Sequence, residues 1–139
     1  LAADQGTDPE NAIAALLQRS PNAAVVLTLG SEGSIYARGG IGDRARSGER
    51  IRQAAYRVQA VDTTAAGDTF TGYFLAALAE GQTPTAALDL ASKAAAICVT
   101  RRGAAPSIPS RAEVEAFAPA GAGRGLGTDP RQARSGSGR

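Results

Sequence analysis

Apolar residues recur along this chain at two spacings, and the switches between them mark its elements. Ile13, Leu16 and Leu17 keep a helical period up to Arg19, behind an Asp8-Pro9-Glu10 start. Asp8 fits the N-cap there and Pro9 the first helical position. After the Ser20-Pro21-Asn22 turn, Ala23 to Leu29 is apolar except for Thr28, which predicts a buried strand of the parallel kind. Gly30-Ser31-Glu32-Gly33 is a tight turn and Ser34 to Ala37 a second strand. Arg38 to Arg50 is charged and Gly-rich and reads as a surface loop. A third strand is expected over Gln53 to Arg57, leading through Val58 and Val61 to Asp62.

Asp68 heads the most apolar helix, which runs to about Glu80. Phe70, Tyr73, Phe74, Ala77 and Leu78 form its buried stripe, and Gly81 stops it. Thr83 and Pro84 open the next helix, whose packing face is Ala87, Leu88, Ala91, Ala94, Ala95 and Cys98, with Gly103 beyond its end. Ser110 caps a last short helix through Val114 and Phe117. From Pro119 onward Gly, Arg and Ser accumulate around a single large apolar residue, Leu126, so residues 119–139 read as a disordered tail behind one domain, residues 1–118.

Composition narrows the function classes. The chain has 139 residues, 43% of them hydrophobic, but about half of these are alanine. The core is therefore thin and favours close packing of helices and strands. There is no His, which excludes a Ser-His-Asp triad and a His-ligated zinc site within the chain. One cysteine, Cys98, excludes an intrachain disulfide framework and makes a cytoplasmic setting the expectation. No apolar run approaches a membrane span, and no secretory signal is seen. The chain opens on Leu1 without a Met, which reads as a fragment or a processed form. The net charge is +2. Arg124, Arg131, Arg134 and Arg139 against Asp129 give the tail +3, which leaves residues 1–118 at −1. No basic run interleaved with aromatics points to nucleic acid.

The chemistry concentrates in Asp62-Thr63-Thr64-Ala65-Ala66-Gly67-Asp68-Thr69-Phe70, which joins a strand to an apolar helix. Small residues at 65–67 let backbone approach a ligand, and their N–H groups at a helix start form a ready anion site. A carboxylate there repels phosphate, so Asp68 makes sense where it meets a hydroxyl that attacks the phosphate. Spacing alone fits an N-capping Asp after a Gly turn equally well. Gly40-Ile41-Gly42-Asp43-Arg44-Ala45 formally fits a dinucleotide fingerprint but lies in a charged loop with no apolar helix after it. No G-x-x-x-x-G-K-[ST] occurs, which excludes a P-loop kinase.

Asp62 to Phe70 closely resembles the second signature of the PfkB carbohydrate kinases, D-T-x-[GA]-A-G-D-x-F. The flanking Val58-Gln59-Ala60-Val61 is most like the ribokinase branch of that family. The likeness extends upstream to Thr28-Leu29-Gly30-Ser31-Glu32-Gly33. Downstream it takes in Ala94 to Ile97, Val99 to Ala104 and Pro106-Ser107-Ile108-Pro109. The combination is far more specific than any one motif.

The resemblance implies a ribokinase-like layered α/β/α (Rossmann-like) domain, as its C-terminal, nucleotide-binding part, with the lid and N-terminal half outside this chain. It implies transfer of the γ-phosphoryl of ATP to a sugar hydroxyl, D-ribose giving ribose 5-phosphate, with Mg2+ and K+ as cofactors. Another PfkB sugar or nucleoside kinase is the alternative, and a non-catalytic nucleotide-binding or subunit-pairing module is a third. Asp68 matches the catalytic base facing the substrate hydroxyl, and Ala65, Ala66, Gly67 and Asp68 match the anion hole. Thr28, Leu29, Gly30, Ser31, Glu32 and Gly33 match the nucleotide-binding turn, with Gly67 and Asp68 at the phosphates and Ser92 near the adenine. Asp62, Thr64, Cys98, Arg101, Gly103 and Ser107 match the loops holding a monovalent cation, mostly through backbone carbonyls. The Cys98 thiol itself reads as a small buried group. The partners implied are a sugar and ATP, with no nucleic acid and no membrane, and a homodimer in the full-length form. The fragment alone is expected to be inactive.

Overall fold

The computed structural model describes residues 8–39 and 48–118. Helix α1, Pro9–Arg19, starts as its sequence dictates: the Asp8 carboxylate accepts from the Glu10 amide and Pro9 fills the first turn. Strand β1, Ala24–Thr28, leads through a 3-10 turn at Gly30–Glu32 into strand β2, Ser34–Arg38, and strand β3 is Glu49–Gln53. Helix α2 spans Ala66–Ala79 and helix α3 spans Pro84–Val99. A second 3-10 turn at Ala105–Ser107 precedes the short helix α4, Arg111–Glu115.

The sheet has the order β1-β2-β3 and both pairings are antiparallel, with Val26 opposite Tyr36 and Tyr36 opposite Ile51. This corrects the parallel strand expected at 23–29. The five-residue connection between β1 and β2, Leu29 to Gly33, can only return the chain beside itself. β1 is apolar on both sides for a different reason. Val25 and Leu27 pack against Ile13 of α1, whereas Val26 packs with Tyr36 against α2 and α3. The sheet thus lies between α1 on one face and α2 with α3 on the other, a layered α/β/α arrangement.

The third strand also differs from expectation. It begins at Glu49, inside the stretch read as a loop, and ends at Gln53, where the strand was expected to begin. Its charges belong to an edge strand: Glu49, Arg50 and Arg52 are exposed while Ile51 turns to the core. Residues 40–47, which carry the Gly40–Ala45 pattern, and the tail 119–139 lie outside the described residues.

The larger core gathers Tyr36 with Phe70, Phe74 and Ala77 of α2 and Ala87, Leu88 and Ala91 of α3. Phe70 and Phe74 lie nearly parallel, with centroids 6.3 Å apart. Ala94, Ile97 and Val114 join α3 to α4, and the Tyr73 hydroxyl donates to the Pro109 carbonyl at 2.7 Å. The expected stripes on α2 and α3 face the core, with Tyr73, Leu78 and Ala95 half-buried and the rest buried, although Leu16 of α1 is exposed. Among the described residues no helix is long and apolar enough to cross a membrane.

Candidate active site

Helix α2 begins two residues earlier than expected. Ala65 caps it with a left-handed backbone, φ 63°, so Asp68 stands inside the first turn and does not head the helix. Thr69 opens the helical ladder by donating to the Ala65 carbonyl at 2.8 Å. The Ala66 amide is turned to the Thr63 carbonyl at 3.3 Å. The amides of Ala65, Gly67 and Asp68 find no acceptor among the described residues. Unpaired first-turn donors are what a helix N-terminus offers an anion. Gly67 keeps the approach open: a Cβ built there would meet nothing within 4 Å. The Asp68 side chain is exposed and pairs with no described residue.

Beside this turn lies an open cleft of about 760 Å³. Its walls include Thr28, Gly30, Ser31 and Gly33 from the β1–β2 turn, Ala66 and Gly67 from α2, and Ser92 from α3. Residues far apart in sequence are thus brought to one cavity. Leu29, Glu32, Ala65 and Asp68 are not on its wall. Ser92 is buried. The sequence reading missed Tyr56, Arg57, Thr63 and Phe70, which also line the cleft. Tyr56 and Arg57 lie beyond β3 in a connecting segment and not in the strand expected there. The one signal for Tyr56 is an aromatic residue in a segment that lacks two-residue alternation.

A second group of predicted residues gathers behind the α2 N-terminus. The Asp62 carboxylate accepts from the Thr64 amide at 2.9 Å and from the Gly103 amide at 3.0 Å. The Thr64 hydroxyl, then the Gly103 and Thr64 amides, hold its carboxyl down to about 2. Cys98 is fully buried and its thiol lies 3.2 Å from the Ser107 hydroxyl, which donates to the Ala104 carbonyl at 2.6 Å. The Thr69 hydroxyl donates to the same sulfur at 3.5 Å. The Cys98 thiol also reaches the Thr64 carbonyl at 3.7 Å, which links Asp62, Thr64, Cys98, Gly103 and Ser107. The Arg101 guanidinium is turned away, onto Glu113 of α4 at 2.5 Å. Among the described residues no cluster of three or more His, Cys, Asp or Glu could hold a metal ion.

The comparisons with known proteins agree with one another. A model of the pfkB family carbohydrate kinases matches residues 1–111. The ribokinase of Schizosaccharomyces pombe is 46% identical over 100 residues, which are 72% of this chain and 29% of that protein. The structure of Arabidopsis thaliana ribokinase complexed with ribose and ATP matches with a TM-score of 0.65 and 34% identity, over 78% of this chain and 33% of that one. A putative ribokinase II from E. coli in complex with ATP and Mg2+ matches with a TM-score of 0.66 and 31% identity, over 81% of this chain and 33% of that one. The chain spans about a third or less of the length of these relatives. The matched residues contain the whole cleft, the start of α2 and the loops around Asp62, and this chain belongs to the pfkB family of carbohydrate kinases.

Proposed function

We propose that this chain is the nucleotide-binding part of an ATP-dependent sugar kinase that transfers the γ-phosphoryl group to a hydroxyl of D-ribose, giving ribose 5-phosphate. The observation that carries the reading is the single cleft reached by both the β1–β2 turn and the open N-terminus of α2. The turn Thr28–Gly33 holds the nucleoside side of ATP, with Ser92 at the adenine. The amides of Ala65, Gly67 and Asp68 face the γ-phosphoryl group, with Ala66 contributing its backbone to the same turn. Such fixed donors stabilise charge that develops on the equatorial oxygens. Asp68 takes the proton of the sugar hydroxyl as its oxygen bonds to phosphorus and the β–γ bridging oxygen leaves with ADP. An exposed carboxylate beside amides left unpaired by the described residues suits that role, because none of the described cations pairs with it.

Mg2+, which the E. coli relative holds with ATP, neutralises phosphate charge when bound. The loops of Asp62, Thr64, Cys98, Arg101, Gly103 and Ser107 offer a carboxylate, carbonyls and a hydroxyl. These hard oxygen donors suit K+ and do not suit a thiophilic metal. Cys98 and Arg101 would take part through their carbonyls, since the thiol is buried and the guanidinium is paired. The same family reading carries a cytoplasmic location and a homodimer in the full-length form, checked by fractionation and sedimentation.

The test is ADP release by the intact protein with ATP and Mg2+ against a panel of sugars and nucleosides. Ribose-dependent release, with phosphate found on the 5-hydroxyl, is expected. ATP binding without release for any acceptor would leave a nucleotide-binding module in place of a kinase.

A further inference from the structure

The connection between β3 and α2 supplies much of one cleft wall, including Tyr56, Arg57, Val58 and Ala60. Residues 54–60 belong to no helix or strand. Among the described residues their backbone makes no hydrogen bond to other backbone until Val61 donates to the Val99 carbonyl at 2.7 Å. Between those ends the segment is tethered through Tyr56. Its hydroxyl donates to Asp89 on α3, and its ring meets Phe117 edge-on at 5.5 Å. Lys93, one turn further along α3, holds the other Asp89 oxygen at 2.7 Å. Neither Asp89, Lys93 nor Phe117 lines the cleft.

The direction of α3 tells which end of the cleft this tether governs. Ser92, Ala95, Ala96 and Val99 line the cleft in succession. At ~1.5 Å of rise per residue, Ser92 and Val99 stand roughly 10 Å apart along the helix. The Val99 end adjoins the start of α2, since Val99 accepts from Val61 and Asp62 and its neighbour Cys98 contacts Thr69. Asp89 lies beyond Ser92, at the end remote from the Gly67 amide.

We propose that Asp89 is a positioning residue for the base end of the nucleotide: through the Tyr56 hydroxyl it fixes the cleft wall against which the base lies. The inference rests on the nucleotide reading above. The ion pair with Lys93 keeps Asp89 an acceptor. Burial opposes its ionisation, yet the bonds from Lys93 and Tyr56 outweigh burial and hold the carboxyl below its ordinary value. The Tyr56 phenol is pushed up to about 12, chiefly by its bond to Asp89, so it remains a donor at neutral pH.

The test is calorimetric binding of ATP and of inorganic tripolyphosphate to the intact protein and its variants. Asp89→Ala and Tyr56→Phe should each weaken ATP binding about tenfold, the scale of one charged hydrogen bond. The double variant should be no weaker than either single one by more than about twofold. Asp89→Asn retains an acceptor and should stay within about threefold of the parent. Tripolyphosphate, which has no base, should lose less than about twofold throughout. Equal losses for ATP and tripolyphosphate, or ATP affinity unchanged in both Asp89→Ala and Tyr56→Phe, would overturn the proposal. An unaltered protein that binds neither ATP nor tripolyphosphate would instead overturn the nucleotide reading on which it rests.

Discussion

The Asp62 carboxylate and the Gly103 amide, 41 residues apart in sequence, meet at 3.0 Å. This contact ties the loop entering α2 to the loop leaving α3. Val61 and Asp62 reinforce it by both donating to the Val99 carbonyl, at 2.7 and 3.1 Å. The N-terminus of α2 is therefore held against the far end of α3 by loop contacts as well as by helix packing.

That tie makes stability depend on pH in a defined window. Asp62 falls from 3.8 to about 2 on folding, because the Thr64 hydroxyl and then the Gly103 amide favour its charged form. Glu113 falls from 4.5 to about 2, first through Arg101 and then through Ser110. A lowered folded value contributes stability above the unfolded value and loses it as pH falls through the folded one. Thermal midpoints of the parent should drop between roughly pH 4.5 and 2. The Asp62→Asn/Glu113→Gln variant should start lower and change less, so the two curves converge near pH 2. Parallel curves would show that neither carboxylate carries the dependence.

Asp68 is expected to matter to turnover and not to nucleotide affinity. It is exposed, pairs with no described residue and stands one position from the cleft-lining Gly67. A positioned base contributes ~10²–10⁴-fold. Asp68→Asn in the intact protein should lower kcat by about that factor and leave ATP binding within a few fold. Steady-state kinetics and calorimetry separate the two, and a variant keeping most of its kcat would remove Asp68 from the role of base.

The parts legible in the sequence are those fixed by local chemistry. Asp8, Thr83 and Ser110 cap the helices they were expected to cap, because a side-chain oxygen and an amide two or three residues on suffice. The segment 62–70 was visible because small residues before an apolar helix leave a mark in one dimension. Strand direction was not, because an apolar run between two helical layers looks the same whichever way its neighbour runs. β3 was misplaced because an edge strand bearing Glu49, Arg50 and Arg52 resembles a loop until Ile51 is seen against Tyr36. Tyr56 escaped because its meaning depends on Asp89, 33 residues away.

Potassium should support higher turnover than sodium at fixed Mg2+ and ionic strength. The motive is the oxygen-rich set around Asp62, Thr64 and Ser107, directly behind the turn that carries the free amides. A cation there would bias the same loops that the Asp62–Gly103 contact ties. Initial rates in the two chloride salts decide the matter, and equal rates would count against a cation role for these loops.

The two glycines of the β1–β2 turn should respond differently to the same substitution. Gly33 has φ 106° and ψ −132°, a region essentially confined to glycine. A Cβ there would lie 2.0 Å from the Gln53 carbonyl oxygen and 2.7 Å from the Ala55 nitrogen. Both are backbone atoms, one in the last residue of β3 and one just beyond it, so neither can swing aside. Gly33→Ala therefore incurs ~1–3 kcal/mol of backbone strain and must also displace β3 from its place beside Ser34. Because Gly33 and Ala55 both line the cleft, ATP affinity should fall with stability. Gly30 has φ 59°, and a Cβ there meets nothing within 4 Å. Gly30→Ala bears only the left-handed penalty of ~1–2 kcal/mol and leaves the wall at Ala55 in place. Denaturant midpoints should rank the parent above Gly30→Ala and Gly30→Ala above Gly33→Ala, with ATP binding impaired mainly in the last. Equal effects of the two substitutions would mean that the close approach of Gly33 to Gln53 does not shape the cleft.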